Sequence, residues 1–471
     1  MQFVMATLES LLKPHPRVRV LRDGPPDPEG ECVVHWMQRA QRGHENAALN
    51  LAIALGNALR KPILSVFGLT PSYPQAQRRH YRFLLEGLVD ARQALAARGV
   101  PLVVRLGSPS EVVCAVAREV RAAIVVGDEN PLRIGEQWRR EVAERLSVPL
   151  RLVDADVVVP TSLFPKQEYA ARTIRPKIHR VLNEFLRPLP DPAAQVQWPS
   201  ERLPAGEDLD IAGLLDRLGV GGASEVAGYI GGWTEAQRRL KRFIADRLPQ
   251  YASGRNQPVP YRTSELSAHL HFGHIGPTTI ALAVRSSGAP PESVEAFLEE
   301  LIVRRELAIN FVARNRDYDR LAGCPAWGRA TLSKHASDPR PVVYSEQQLE
   351  AAQTGDPIWN AAQKEMLLTG RMHNYLRMYW AKKILEWTPD PETAYGLAVR
   401  LNDTYFMDGR DPNGYVGVAW AIGGLHDRPW SERPIFGTIR YMSASGIRRK
   451  LDIEAYIRWV AEIERRGGRE H

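Results

Sequence analysis

Between Glu31 and Val159 short apolar runs alternate with amphipathic stretches, and beyond Trp233 no such run recurs. That change of period constrains the fold more than any single motif. Cys32-Val33-Val34-His35-Trp36, Pro62 to Leu69, Leu102 to Leu106, Ala122 to Gly127 and Leu150 to Val159 read as five strands. Glu45 to Leu59, Gln75 to Arg98, the stretch capped by Ser108-Pro109-Ser110-Glu111, and Leu132 to Leu146 read as the helices between them. Strands joined through helices must run parallel, which predicts a doubly wound, Rossmann-like α/β domain. After Gly231-Gly232-Trp233 the period is helical: Glu235 to Leu248, Ser264 to Leu270, Pro277 to Arg285, Val294 to Phe311, Glu365 to Glu386, Glu392 to Tyr405 and Glu454 to Arg465. The expected order is a flexible segment over 1–30, where 17–30 is charged and rich in Pro and Gly, then the α/β domain over 31–160. A linker follows over 161–234, with Pro188, Pro190, Pro192, Pro199 and Pro204 opposing helix in its middle, and an all-α domain fills 235–471.

With 471 residues, 44% of them hydrophobic, the chain can bury two or three sizeable cores. No run of 18 apolar residues is present and Met1 to Pro16 lacks the pattern of a secretory signal, so a place in the cytoplasm, or at the nucleoid if the source is bacterial, with no membrane partner is expected. A monomer is expected. Cys32, Cys114 and Cys324 are far apart with no C-x-x-C spacing, and His269-Leu270-His271 has i,i+2 spacing in a helical context, so no metal is expected. A formal charge of +8 with pI ≈ 9.4 favours a polyanionic partner.

Three stretches carry chemistry. Leu401 to Tyr415 packs amides, carboxylates and Arg410 around the turn dipeptides Asp408-Gly409 and Asp411-Pro412-Asn413-Gly414, at the end of a helix that Asp390 caps and Pro391 starts. It reads either as a tight interhelical turn or as a place where a cofactor meets the backbone closely. Tyr251 to Asn256 leads into Thr263-Ser264-Glu265-Leu266-Ser267-Ala268, whose hydroxyls and N–H groups suit a diphosphate or cap a helix in the ordinary way. Trp380 and Trp387 sit seven apart on one helix face, about 10 Å of rise, with Trp359 ahead of them, which fits either a core or an electron path. The α/β half has no G-x-G-x-x-G or P-loop lysine, so its strand-end pocket is not assigned a ligand by motif.

Long strings then carry a resemblance: Glu299 to Leu307, Leu367 to Trp380, Leu401 to Tyr415, Gly424 to Trp430 and Arg433 to Gly437. From about Val33 to Trp459 the chain resembles the class II cyclobutane pyrimidine dimer photolyases. The resemblance implies an α/β antenna domain, a linker and a helical FAD-binding domain. It also implies light-driven repair, in which excited FADH⁻ lends an electron to a dimer flipped out of double-stranded DNA. It places Thr263, Ser264, Leu266 and Ser267 at the FAD diphosphate with Tyr251 nearby, and Asn402 at flavin N5. An Arg377–Asp408 salt bridge would lie beside that edge, with Asp411 and Asn413 in the same loop. Glu300 would bond the lesion, Trp420 would pack on it and Arg255 would hold the distorted DNA. Arg428, Trp430, Arg433 and Arg440 would fill the gap left by the flipped dimer, with Lys450 in a basic cluster beyond. Trp380, Trp359 and Trp387 would relay electrons to oxidised flavin, Trp387 at the surface. Ala268 and Ile309 depart from the family pattern. A cryptochrome-like light sensor would share the flavin site without repair, and an adenine-nucleotide enzyme would leave the helical half without a purpose. The antenna chromophore stays open among a deazaflavin, a folate, a second flavin or none.

Overall fold

Apolar β-branched runs pair in the first third of the chain to form one six-stranded sheet, in the order β1-β6-β5-β2-β3-β4. Its strands are β1 (Val18–Arg22), β2 (Cys32–Trp36), β3 (Ile63–Leu69), β4 (Leu102–Leu106), β5 (Ala122–Asp128) and β6 (Leu150–Val153). The computed structural model describes residues 7–468. Strands β2 to β6 are mutually parallel, and β2, β3, β5 and β6 are buried at every position, as a sheet covered on both faces requires. The cover comes from α1 (Leu8–Leu12), α2 (Ala47–Leu59), α3 (Arg78–Ala97), α4 (Pro109–Glu119) and α5 (Arg133–Arg145). The order reverses between β2 and β5, so the carboxyl ends of those strands border a crevice.

Two expectations about this half are corrected. The fold does not begin at Glu31, because β1 pairs antiparallel with β6, Val18 opposite Val153, and Arg17 donates to the carbonyls of Asp154, Val157 and Val158. The fifth predicted strand stops at Val153 and not at Val159. Asp154 there accepts from Thr161, and Asp156 accepts from Arg39 and Arg305, turning the chain toward the helical half.

The rest is helical: α6 (Ala171–Phe185), α7 (Ile211–Leu218), α8 (Trp233–Arg242), α9 (Tyr251–Gly254), α10 (Ser267–His271), α11 (Pro277–Arg285), α12 (Pro291–Leu298) and α13 (Arg305–Arg314). They are followed by α14 (Ala326–Lys334), α15 (Glu346–Glu350), α16 (Pro357–Thr369), α17 (Asn374–Trp387), α18 (Pro391–Tyr405), α19 (Pro412–Gly423), α20 (Ala444–Lys450) and α21 (Ile453–Arg465). The main core joins α13, α16 to α19 and α21. The region 161–234 is more than a linker, since Ile174 and Ile178 of α6 are fully buried against Leu240, Phe243, Ile280 and Leu301. Pro176 inside α6 masks that helix in the sequence. The predicted helix Glu365 to Glu386 is two helices, broken where Gly370 takes φ +66 and His373 caps α17. Between α12 and α13 the chain stays helical through a π turn, Glu299–Arg304. Among the described residues no helix is long and apolar enough to cross a membrane, and no three metal-ligating side chains converge.

Candidate functional site

The polar turn after α18 is built around Asp403. Asp390 caps α18 through the Thr393 N–H at 2.8 Å, Pro391 opens it, and the helix delivers Asn402 and Asp403 into the core, Asn402 only 2% exposed. The Asp403 carboxylate accepts from Asn402 Nδ2 at 2.8 Å, the Arg410 N–H at 2.8 Å and the Tyr415 hydroxyl at 2.9 Å, while Arg410 also donates to the Asp403 carbonyl. Burial raises the Asp403 pKa against the opposing charge of Arg410. Arg410 holds φ +61, and Gly409 and Gly414 admit the contact with α18. A Cβ on Gly414 would lie 2.7 Å from Asn402 Nδ2, and one on Gly409 would lie 2.6 Å from the Asn402 carbonyl.

The two further carboxylates of this turn face opposite neighbours. Asp408 accepts from Arg377 at 2.9 Å, and the same guanidinium lies 3.6 Å over the Phe406 ring, its Nε buried without a partner. Asp411 caps α19 through the N–H of Asn413, accepts its Nδ2 at 2.9 Å, and meets His271 Nδ1 at 3.1 Å and Arg39 at 3.5 Å. Burial opposes ionisation of Asp411, but His271, Arg39 and Arg305 outweigh it and hold the carboxyl well below the usual range. Asp156 binds Arg39 and Arg305 from the sheet side, so this charged cluster joins the two halves.

The segment before α10 differs from expectation. The helix starts at Ser267 with Leu266 at its cap, and neither Thr263 nor Ser264 caps it; Ser264 Oγ accepts only from the Leu266 N–H, at 3.4 Å. Glu265, to which the sequence gives no separate role, organises this turn. It sits at φ +58 and pairs with Arg371, Arg247 at 3.0 Å and Arg239 at 3.7 Å. Those three partners are remote in the chain, so no local pattern announces them. Tyr251 packs edge-on to Phe243 and Phe297 beneath Arg255.

Glu300 lies on the π turn with its side chain 45% exposed and pairs with Arg255 at 2.9 Å; Arg304 pairs instead with Glu299 at 3.4 Å. Thus the residues expected on the lesion and on the DNA meet each other. Trp420 is half-buried, with Lys382 Nζ 4.8 Å and the Arg440 guanidinium 5.8 Å from its ring. Lys382 donates to the Ala421 carbonyl at 2.7 Å, and burial brings its pKa down to about 7. Trp430, 40% exposed, is flanked by Arg440 at 4.8 Å and Arg428 at 5.4 Å, in a loop closed by the Arg433–Gly437 bridge. Arg433 covers Tyr441 at 4.2 Å, and Lys450 donates to the Tyr375 hydroxyl at 2.8 Å.

The indoles form a ladder. Trp380 and Trp359 stack with centroids 6.5 Å apart and planes within 9°, Trp359 meets Trp387 at 5.6 Å, and Phe406 touches Trp380 edge-on at 6.4 Å. Trp359 therefore stands between the two that share a helix. Trp387 is not at the surface as expected: it is 5% exposed, because Tyr344 packs edge-on against it at 5.3 Å. The Trp380 N–H donates to Gln363 Oε1 at 2.8 Å and the Trp359 N–H to the Trp380 carbonyl at 3.0 Å. Ala268 is fully buried near Phe83, Phe272 and Met407, and Ile309 is buried in α13, so both departures occupy packed positions. A cavity opens at the strand ends beside the charged turn after α18, lined among others by Gln38, Arg39, Tyr73, Asn130, His271 and Arg410.

A model of the DNA photolyase family matches residues 33–193. A deoxyribodipyrimidine photo-lyase of Methanothermobacter thermautotrophicus is 44% identical over 442 residues, covering 94% of this chain and 97% of the relative. One of Oryza sativa is 43% identical over 467 residues, covering 95% and 90%. A bacterial class III photolyase of Agrobacterium tumefaciens shares the fold, with a TM-score of 0.70 at 19% identity over 92% of this chain and 86% of that one. With the matches to the two photo-lyases running through both the sheet and the helices, the chain belongs to the DNA photolyase family.

Proposed function

We propose that this protein is a class II photolyase that repairs cyclobutane pyrimidine dimers in double-stranded DNA under light. The observation that carries the reading is the junction at Phe406, where Arg377 lies on one ring face and Trp380 meets the ring edge-on. Phe406 thereby links the indole ladder to Asn402, whose carbonyl accepts its N–H, and to the Arg377–Asp408 pair. The residues fit a flavin: Arg377 Nε is a buried donor without a partner, and Gly414 leaves the Asn402 amide uncovered by a side chain. Bound FAD, fully reduced, would supply the photoexcited electron. Asn402, whose Nδ2 is committed to Asp403, offers its oxygen toward flavin N5, and the Arg377–Asp408 pair bounds the same edge with Asp411 and Asn413 behind it. Thr263, Ser264, Leu266 and Ser267 hold the diphosphate on a turn that Glu265 and its arginines fix, with Tyr251 beside it.

Glu300 leaves Arg255 and, as a protonated carboxyl, shares its proton with a pyrimidine carbonyl, freeing that arginine for a phosphate, while Trp420 stacks on the extruded bases. Arg428, Trp430, Arg433 and Arg440 enter the gap in the duplex, with Lys450 on the backbone. Trp380, Trp359 and Trp387 return oxidised flavin to its active state. The strand-end cavity suits a second, light-gathering chromophore. The test is a dimer-containing duplex incubated with the chemically reduced holoprotein, in light and in dark. Dimer loss in light only is expected; no loss in either, with flavin bound, would leave a light sensor as the function.

A further inference from the structure

We propose that the solvent face of α6 from Arg172 to Arg180, with Tyr169 just ahead of the helix, is a track for the phosphate backbone of one duplex arm flanking the lesion site. The inference rests on the repair reading and extends its DNA footprint. Arg172, Arg175 and His179 fall at i, i+3 and i+7 on one helix face, with Arg180 beside them, and Glu184 is the one acidic residue in α6. Arg172 and Arg180 are exposed and, among the described residues, make no ion pair, whereas Lys177 is tied to Glu168. Arg172 lies 5.6 Å from the ring of Tyr169, itself 52% exposed, an aromatic and cation pair facing solvent.

This face continues the proposed DNA surface. Arg175 binds Glu299 at 2.6 Å, Arg304 binds the same carboxylate at 3.4 Å, and the next residue, Glu300, holds Arg255. The buried side of α6 packs through Ile174 and Ile178 on the core that contains Leu301, so the helix is fixed beside the π turn. From Arg172 to Arg180 the helix rises about 12 Å, the length of roughly three to four base pairs of duplex. Within α6 no large hydrophobic side chain is exposed, so a polyanion, and not a hydrophobic partner, is its complement.

The experiment measures binding of the FAD-loaded protein to dimer-containing duplexes across a salt series, by fluorescence anisotropy, for wild type and for the double variant Arg172→Ala/Arg180→Ala. Each lost phosphate contact lowers the salt slope by about 0.9, so losing two weakens binding roughly 60-fold at about 0.1 M salt, with the difference closing toward about 1 M. The loss is expected on a duplex with long arms and not on one trimmed closely around the dimer. Repair quantum yield at saturating DNA is unchanged, because neither arginine touches the lesion. An unchanged slope on the long duplex, with flavin content equal to wild type, overturns the proposal and leaves α6 a solvated face. If wild type itself fails to prefer damaged duplex, the repair reading fails instead, and the two outcomes are read from different columns of the same measurement.

Discussion

Replacing Glu306 with Gln tests whether the seam between sheet and helices holds a neutral carboxyl. Glu306 Oε1 accepts from the N–H groups of Val158 and Val159 at 2.7 and 3.0 Å, while Oε2 is buried without a partner. Burial pushes this carboxyl up to about 8 from an ordinary value of 4.5, against the two N–H groups and Arg305. A carboxyl raised in the folded state stays protonated there while the unfolded chain has released its proton. Stability is therefore full below the unfolded pKa and is lost as pH rises through the folded one. Each unit costs about 1.4 kcal/mol, so the full window from 4.5 to about 8 is worth about 5 kcal/mol. Glu306→Gln keeps the acceptor, carries no charge and removes the slope. Paired urea unfolding at several pH values isolates this group, because the buried histidines titrate alike in both proteins. The advantage of the variant should grow by about 1.4 kcal/mol per pH unit across that window. A constant difference between the two proteins would mean that Glu306 is ionised in the native state.

Three further outcomes follow from the site. Glu300→Gln should keep flavin and most DNA affinity while repair quantum yield falls about tenfold or more, since an amide cannot share an acidic proton with the developing charge as a carboxyl can; an unchanged yield would return Glu300 to its ion pair with Arg255. Asn402→Asp sets a second carboxyl against buried Asp403, so spectroelectrochemistry should show the flavin potential lowered by roughly 60 mV or more, the equivalent of about 1.4 kcal/mol of repulsion. Potentials equal to wild type would remove Asn402 from the flavin edge. Trp380→Phe should fold, bind flavin and repair dimers after chemical reduction, yet photoreduce its oxidised flavin much more slowly with an external reductant present. Equal rates would make the indoles packing residues or point to Tyr379 or Tyr405 as donor.

The strands of the parallel sheet were legible because all but β4 are runs buried along their whole length and β4 is buried over its first three residues, a signal that needs no partner to be seen. Strand β1 was not, because Val18-Arg19-Val20-Leu21-Arg22 is half charged and pairs only with β6, at the far end of the domain. Helix α6 hid behind Pro176 and its basic face, and the break at Gly370 hid inside good helical periodicity on either side. In the site, Asn402, Asp408, Asp411 and Asn413 stood out since turn chemistry and capping are local. The turn at Ser264 misled for the opposite reason: its geometry is set by Glu265 and by arginines at 239, 247 and 371. Spacing put Trp380 and Trp387 on one face but could not show Trp359 inserted between them, or Tyr344 closing over Trp387.

The hydrogen bonds of the indole ladder decide what kind of conductor the proposed relay would be. The Trp380 N–H ends on the amide oxygen of Gln363, and the Trp359 N–H ends on a peptide carbonyl. Both acceptors are far too weak as bases to take a proton, and both rings are buried away from water that could. An indole that gives up an electron here keeps its hydrogen and stays cationic, so the positive charge has to move on to the next ring instead of being quenched where it forms. In the relay proposed above, the step between Trp380 and Trp359 therefore moves charge alone, uncoupled from proton movement, and should run at the same rate in heavy water as in light.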